Sequence, residues 1–550
     1  MTRARRRRWT LGWAGATLLA LAVLVIGATP ASAHAVLQSS NPSPGSEQAA
    51  APTAVVLDFD EGVSLTRQSV RVLDPSGHDV TAGPVGHPGG RDERVGVPLA
   101  ASLPRGSYLV IWRVVSHDSH PVSGTFTFGV GVPAAARAAT DSVTPSDPVV
   151  AALHGALQFE ALAGAGLLLG AGFFLAAVWP AGLRRRPCRS LLTGAWWASM
   201  VSTIGLAVLQ GPYGGTLPLS ATGDVALLGD TLGSTYGRLL LLRMVALAAG
   251  AGVWWAVQRR GFRPGRFDLL GLAVLLLESF SFAGHAGQGT LVLLWSSVDA
   301  AHLAAAGIWV GGLLVLAVVL PRGVGNDARS DGLAPVLRRW SGVAATAVGV
   351  LVVTGVAQGL REVGGWEALA RTTYGQILLA KVAGLALMLG LALVARRRVT
   401  GGRRPARATV TVEAGLGVVV IALAAALTSS VPARDAYQPT FSTTVVGRGP
   451  AGQERRVAVV IRPTTPGYEG MSVRVTTVAG APVRLSKASG SLVDTDLGIG
   501  PLTQTMTVSP SGIVDDVLIS VPSPGRWEVT LRLTTAEGAS YAASLAYQVG

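Results

Sequence analysis

Eight runs of predominantly apolar residues, each close to the ~20 needed to cross a hydrocarbon layer of ~30 Å, constrain this chain more than any other feature. They occupy residues 149–179, 191–210, 239–257, 269–282, 298–320, 342–360, 377–394 and 410–427, the fourth being the shortest. With 49% apolar and 14% charged residues, and a mean hydropathy of +0.45, most of the 550 residues belong in lipid. The expectation is an eight-helix transmembrane bundle over 149–430.

Charge then orients the bundle. A net charge of +14 suggests a polyanion partner at first sight, yet the basic residues are mostly arginines confined to the N-terminus and to short loops, so no nucleic acid is implied. The first, third and fifth connections hold four arginines each and the seventh holds six, against only Arg361 and Arg371 in the opposite loops, with Arg238 counted as the mouth of the third span. Positive charge collects on the cytoplasmic side, which puts the regions flanking the bundle outside a multi-pass protein of the cytoplasmic membrane, with the lipid bilayer as its first partner. Residues 1–33 begin with Arg3, Arg5, Arg6, Arg7 and Arg8, continue as an apolar stretch and end in Ala31-Ser32-Ala33, the pattern of a cleavable export signal. Cleavage there makes His34 the first residue.

Both flanking regions read as strands. Over 34–132 the alternation runs through 55–59, 69–73, 108–114 and 125–130, with turn residues such as Asp74-Pro75-Ser76-Gly77 between runs. This predicts an all-β domain, a Greek-key sandwich or barrel. Residues 133–148, rich in Ala, Thr, Ser and Pro, form a linker. Over 436–550 alternation returns in 456–461, 472–477, 517–521 and 527–533, a second all-β domain that contains no His or Cys. The fold class is therefore a multidomain membrane protein with a β-domain on each side of the bundle. Cys188, the only cysteine, provides neither an intramolecular disulfide nor a thiolate metal site. A faint parallel repeat relates Tyr236-Gly237 and Arg243 to Tyr374-Gly375 and Lys381.

Histidine placement carries the chemistry. All eight histidines fall on the exterior N-terminal domain or at exterior ends of spans. An N-terminal His34 chelates through its α-amine and ring, and a second imidazole with a carboxylate, as in Asp118-Ser119-His120, completes an N,O set suited to Cu(II). In an extended segment Asp118 and His120 point the same way, while His117 faces elsewhere as a candidate secondary ligand. His78 and His87 read as loop residues. Within the bundle His154 and Glu160, Glu278 and His285, and Asp299 and His302 are ionisable groups near or in lipid, where such residues usually face a bundle interior or a water cavity. Asp299 and His302, at i and i+3, share a helix face. These six residues form a candidate membrane copper path, and Arg243 and Lys381 are expected to pair with acids.

His34-Ala35-Val36-Leu37, Ser40-Asn41-Pro42 and Asp118-Ser119-His120-Pro121-Val122-Ser123-Gly124 resemble the CopC copper-binding proteins. Gly284-His285-Ala286, Asp299-Ala300-Ala301-His302, Trp309-Val310-Gly311-Gly312 and Tyr374-Gly375 are similar to the CopD copper-transport domain. The resemblance covers roughly 34–427 and implies a CopC–CopD fusion of copper uptake or resistance, with copper bound as Cu(II) by His34, Asp118 and His120. Ser119 stands where the family usually has Gly. The N-terminal β-domain has no methionine, so the Met-rich Cu(I) site of some relatives is absent.

Two functions follow. In the first, the exterior domain captures Cu(II) and the bundle moves copper inward after reduction. In the second, the bundle anchors a copper-sequestering or donor protein that serves an exterior donor or acceptor protein. No P-loop or phosphorylated-Asp motif supports ATP drive. An oxidative enzyme is disfavoured, because the carboxylate ligand stabilises Cu(II) and no catalytic set is visible.

Overall fold

The computed structural model describes residues 35–66, 69–116, 121–134, 147–260, 265–287, 291–319, 333–400, 407–428, 430–464 and 467–550. They divide into two compact units. One joins Ala152–Val208 to Tyr236–Ala436; the other gathers His34–Ala151, Leu209–Thr235 and Tyr437–Gly550.

In the second unit the N-terminal domain comprises β1 (Leu37–Asn41), β2 (Glu47–Gln48), β3 (Ala54–Phe59), β4 (Val63–Ser64), β5 (Val70–Leu73), β6 (Arg94–Pro98), β7 (Gly106–Ser116) and β8 (Pro121–Val130). One sheet runs β1-β3-β6; the other runs β2-β8-β7-β4, with β5 also on β7. Alternation decides what is buried: Val55, Leu57 and Phe59 of β3 point into the same core as Val110, Trp112 and Val114 of β7. Trp112 meets Phe59 edge-on at 5.3 Å. Across the β7–β8 ladder its partner is Gly124, where a side chain would strike the indole. This is a two-sheet sandwich held by packing.

The C-terminal domain comprises β9 (Phe441–Arg448), β10 (Glu454–Arg462), β11 (Gly467–Thr476), β12 (Pro482–Val483), β13 (Leu485–Asp494), β14 (Leu502–Met506), β15 (Val514–Val521), β16 (Gly525–Thr535) and β17 (Ser540–Val549). Its sheet runs β12-β11-β10-β9-β17-β16-β13-β14, with β15 on β11. The inward faces bury Val457, Val459, Ile461, Val473, Trp527, Val529 and Leu531. One acid joins them. Glu469 is fully buried; its Oε2 accepts the Tyr547 hydroxyl at 2.6 Å, and its Oε1 has no hydrogen-bond partner among the described residues. Burial pushes this carboxyl up to about 7.

The helices are α1 (Pro148–Phe173), α2 (Arg186–Gly215), α3 (Val225–Gly233), α4 (Thr235–Arg260), α5 (Arg266–Ser281), α6 (Val292–Val319), α7 (Leu333–Val363), α8 (Trp366–Arg371), α9 (Thr373–Thr400), α10 (Arg407–Thr428) and α11 (Ala433–Ala436). Among the described residues six helices are long and apolar enough to cross a membrane: α1, α2, α4, α6, α7 and α9. α5 falls short at 16 residues, and α10 contributes the shorter apolar stretch Gly415–Leu427. Where neighbours offer no gain in apolar burial over lipid, helices associate through close backbone approach at small residues. α1 and α6 do so. A Cβ on Gly307 would lie 2.8 Å from Gly166 O, one on Gly311 would lie 2.6 Å from Ala171 N, and one on Gly170 would collide with Gly307 O.

Two outcomes follow for stability. Glu469 binds a proton in the folded state that the unfolded chain has released, so the C-terminal domain should lose stability as pH rises from about 4.5 to about 7, by roughly 2–3 kcal/mol. Denaturant titration of residues 437–550 across that window should show the slope, and Glu469→Gln should flatten it. Gly311→Leu should prevent α1 from seating on α6 and leave little folded protein on size exclusion, whereas Gly342→Leu, at a position open to 4 Å, should be tolerated.

Candidate functional site

Of the residues expected to bind Cu(II), His34, His117, Asp118 and His120 lie outside the described residues, as does the export signal over 1–33. β7 ends at Ser116 and β8 begins at Pro121, the two ends between which three of the four fall. His78 is an exposed loop residue beside Asp74, and the His87 ring is bonded at Nδ1 to the Arg94 carbonyl at 2.8 Å.

The helical unit gathers polar groups around α6. Asp299 and His302 share one face of that helix, and α7 answers each. Gln358 donates to Asp299 Oδ1 at 2.9 Å, and His302 Nδ1 lies 2.8 Å from Thr354 Oγ1. Thr354, Gln358 and Arg361 recur at intervals of four and three, so they form one stripe of α7. Gly355 lies beside this stripe, where a Cβ would sit 3.3 Å from His302 Cε1. Lys381 of α9, Ser281 at the end of α5 and His285 in the turn His285–Gly287 all lie within electrostatic reach of Asp299. Glu278, on α5, interacts with Ser296 and Asp299, while its Oε2 is buried with no hydrogen-bond partner among the described residues.

Beside this row Arg361 donates to the His285 carbonyl at 3.2 Å and lies over the Trp295 ring at 4.9 Å. Glu362 faces Arg361 at 3.8 Å and Arg434 of α11 at 3.7 Å. The two remaining path residues lie on α1. His154 is buried on α1, and Glu160 is exposed on the same helix. Arg243 corrects another expectation: its guanidinium bonds Ser279 Oγ at 3.2 Å and Ser279 O at 3.0 Å, and lies 3.5 Å over the Phe280 ring. Lys381 lies within electrostatic reach of Asp299. Among the described residues no three His, Cys, Asp or Glu side chains come together closely enough to hold a metal ion.

Three family models match: a CopC domain over residues 37–131, a copper resistance protein D-like N-terminal domain over 149–295, and copper resistance protein D over 334–427. The chain is 37% identical to copper resistance protein C of Pseudomonas syringae pv. tomato, over 21% of this chain and 92% of that protein. It is also 27% identical to copper transport protein CutJ of Bacillus subtilis (strain 168), over 97% of this chain and 98% of that protein. The chain belongs to the CopC–CopD copper resistance and transport family. Among solved structures it resembles CopC from Methylosinus trichosporium OB3b, at 32% identity over 18% of this chain and 93% of that one, with a TM-score of 0.17.

In this CopC–CopD chain the groups that sequence reasoning missed are Thr354, Gln358, Ser281 and the Arg361–Glu362–Arg434 cluster. Thr354, Gln358 and Arg361 share a stripe at intervals of four and three, which shows a polar face on α7 but not what it meets. Removing one member of a buried charged set leaves the other uncompensated. Asp299→Asn and Lys381→Met should therefore each lower the thermal midpoint of the detergent-solubilised protein, while the double variant recovers ~1–3 kcal/mol against the sum of the two. Strictly additive losses would remove the pairing.

Proposed function

We propose that this protein captures Cu(II) outside the cell with its N-terminal β-domain and passes copper inward through the helical bundle. The observation that carries the proposal is the row Glu278, Asp299 and His302 with Thr354, Gln358 and Lys381, polar groups turned to one another inside an apolar bundle. Groups of this kind in lipid are expensive, and a bundle that served only as an anchor would have no use for them. An oxygen and nitrogen donor set suits a divalent or borderline cation, and the CopC and CopD matches supply the cargo.

The Cu(II) ligands in this proposal are His34, through its amine and ring, with Asp118 and His120, and His117 stands as a secondary ligand. The bundle has eight spans, the six long helices together with α5 and α10, and both β-domains lie outside. Loop arginines support that orientation. His285, at the start of a turn, and His154, buried on α1, are the candidates for receiving the ion. Glu160, exposed on α1, is the weakest member of the path.

Copper accumulation by vesicles reconstituted with the purified protein tests this. Asp299→Asn and His302→Ala should each cut uptake at least tenfold without changing Cu(II) affinity of the N-terminal domain, and one extra residue before His34 should abolish that affinity. Undiminished uptake by both bundle variants would sink the path and favour the anchored copper store.

A further inference from the structure

The second unit contains, besides the two β-domains, the segment Leu209–Thr235 that leaves α2. This segment covers the outer face of the end of β7. In a strand the side chains of residues 113 and 115 point opposite to Val114, which is fully buried in the sandwich core. Val115 therefore faces away from the core, yet it too is buried, at 8% exposure. Gly214 is what covers it: a Cβ there would lie 2.8 Å from Val115 Cγ2 and 4.0 Å from Thr66 Cγ2. Two residues away, Arg113 Nη1 donates to Thr216 Oγ1.

Thr216 holds a φ of +53°, a left-handed conformation that glycine adopts freely and a β-branched residue rarely does. The turn itself, closed by Leu217 N to Pro212 O at 2.9 Å, has no need of a hydroxyl. The hydroxyl serves Arg113. A second grip lies on the other side of the domain. Tyr468 of β11 hydrogen-bonds Ser40 of β1, Leu518 of β15 packs against the N-terminal core, and Thr507 Oγ1 donates to the Ala134 carbonyl at 3.3 Å. The gripped strands are those next to the proposed ligands: β7 ends one residue before His117, and β1 begins three residues after His34.

We propose that the copper-capturing domain works docked, its β7 end fixed to the Gly215 end of α2 by Arg113–Thr216 and Val115–Gly214. The C-terminal β-domain is the brace that holds β1 from the other side. Copper is then handed on while the domain stays in this dock. The handover rests on the transport proposal above; the dock itself does not.

A disulfide tests both parts. A carbon–carbon bond of about 1.5 Å beyond the 2.8 Å contact puts the two Cβ atoms of Val115→Cys/Gly214→Cys at no more than about 4.3 Å, within disulfide reach. The pair is made in the full chain with Cys188→Ala, a protease site is inserted in the linker, and diamide supplies the oxidant. Docking predicts that after cleavage the two fragments stay joined until reduced, and that the oxidised protein accumulates copper in vesicles within twofold of its reduced form. Fragments that separate without reductant overturn the dock. Joined fragments with uptake lost tenfold and restored by reductant overturn handover from the docked state. Should the cysteine pair fail to fold, Thr216→Val in the full chain gives the second measurement, because docking predicts at least tenfold faster amide deuteration at 113–116 and unchanged exchange overturns it. Wild-type vesicles that take up no copper would defeat the transport proposal alone, and both the cross-link and the exchange would still decide whether the domain is docked.

Discussion

The bundle depends on one backbone contact. Gly166 and Gly170 of α1 lie against Gly307 and Gly311 of α6, and at three of these positions a Cβ would run into the facing backbone. Lipid offers helices no gain for burying apolar side chains against each other, so an approach this close is one of the few ways to fix a helix pair in depth and rotation. α6 is the helix so fixed, and it carries Asp299 and His302 eight and five residues before Gly307. Its rotation settles which way these two side chains point. On the far side, Gly312 admits the Trp340 indole, which in turn meets Phe174 edge-on at 5.1 Å, so α1, α6 and α7 are held together at one level of the unit.

Once α6 is set, the polar residues of its neighbours have few choices. A carboxylate or imidazole in an apolar bundle must find a partner on another helix, because leaving it unpaired costs more than any single apolar contact returns. α7 offers Thr354 and Gln358 four residues apart, against the three between Asp299 and His302 on α6, so each pair spans about one turn. The next residue of the same stripe, Arg361, turns to the His285 carbonyl and the Trp295 ring. Arg434 spans back to the Arg361 carbonyl at 2.8 Å, so the short α11 after the last long helix is tied to the same cluster. Charge and dipole are passed from helix to helix in one connected set.

How much of this the sequence discloses differs by scale. The apolar runs give the helices but not all their ends: α1 starts at Pro148 where the first run opens at 149, whereas α7 starts at Leu333, nine residues before the run that opens at 342; the strand runs 55–59 and 527–533 lie inside β3 and β16. These features depend on local periodicity alone. Helix α3, lodged in the connection before Tyr236, carries too little pattern to be read. The Asp299–His302 face is legible because i and i+3 is itself a local rule. Gln358, Thr354 and Lys381 are not, since their meeting with α6 depends on how whole helices rotate against each other. Arg243 shows the same limit: a lone cation in an apolar run predicts an acid, and it settles instead on Ser279 and the face of Phe280. Glu469 is harder still. Strand parity places it inward, but only the packed sheet shows Tyr547 as its partner.

The arrangement of donors bears on what kind of copper protein this is. A tight cage needs ligands converging on one point, and among the described residues no three His, Cys, Asp or Glu side chains do so. Its donors are strung out instead, Glu278 and Ser296 at one place, Asp299 and Gln358 at the next, His302 and Thr354 after them. An ion that must leave as readily as it enters is better served by several weak sites in series than by one tight cage. Under the transport proposal, tight capture is required only once, and the ligands it assigns, the amine and ring of His34 with Asp118 and His120, would supply it. On that proposal the β-sandwich binds tightly and the helices weakly, and the division of labour between them is one of binding strength.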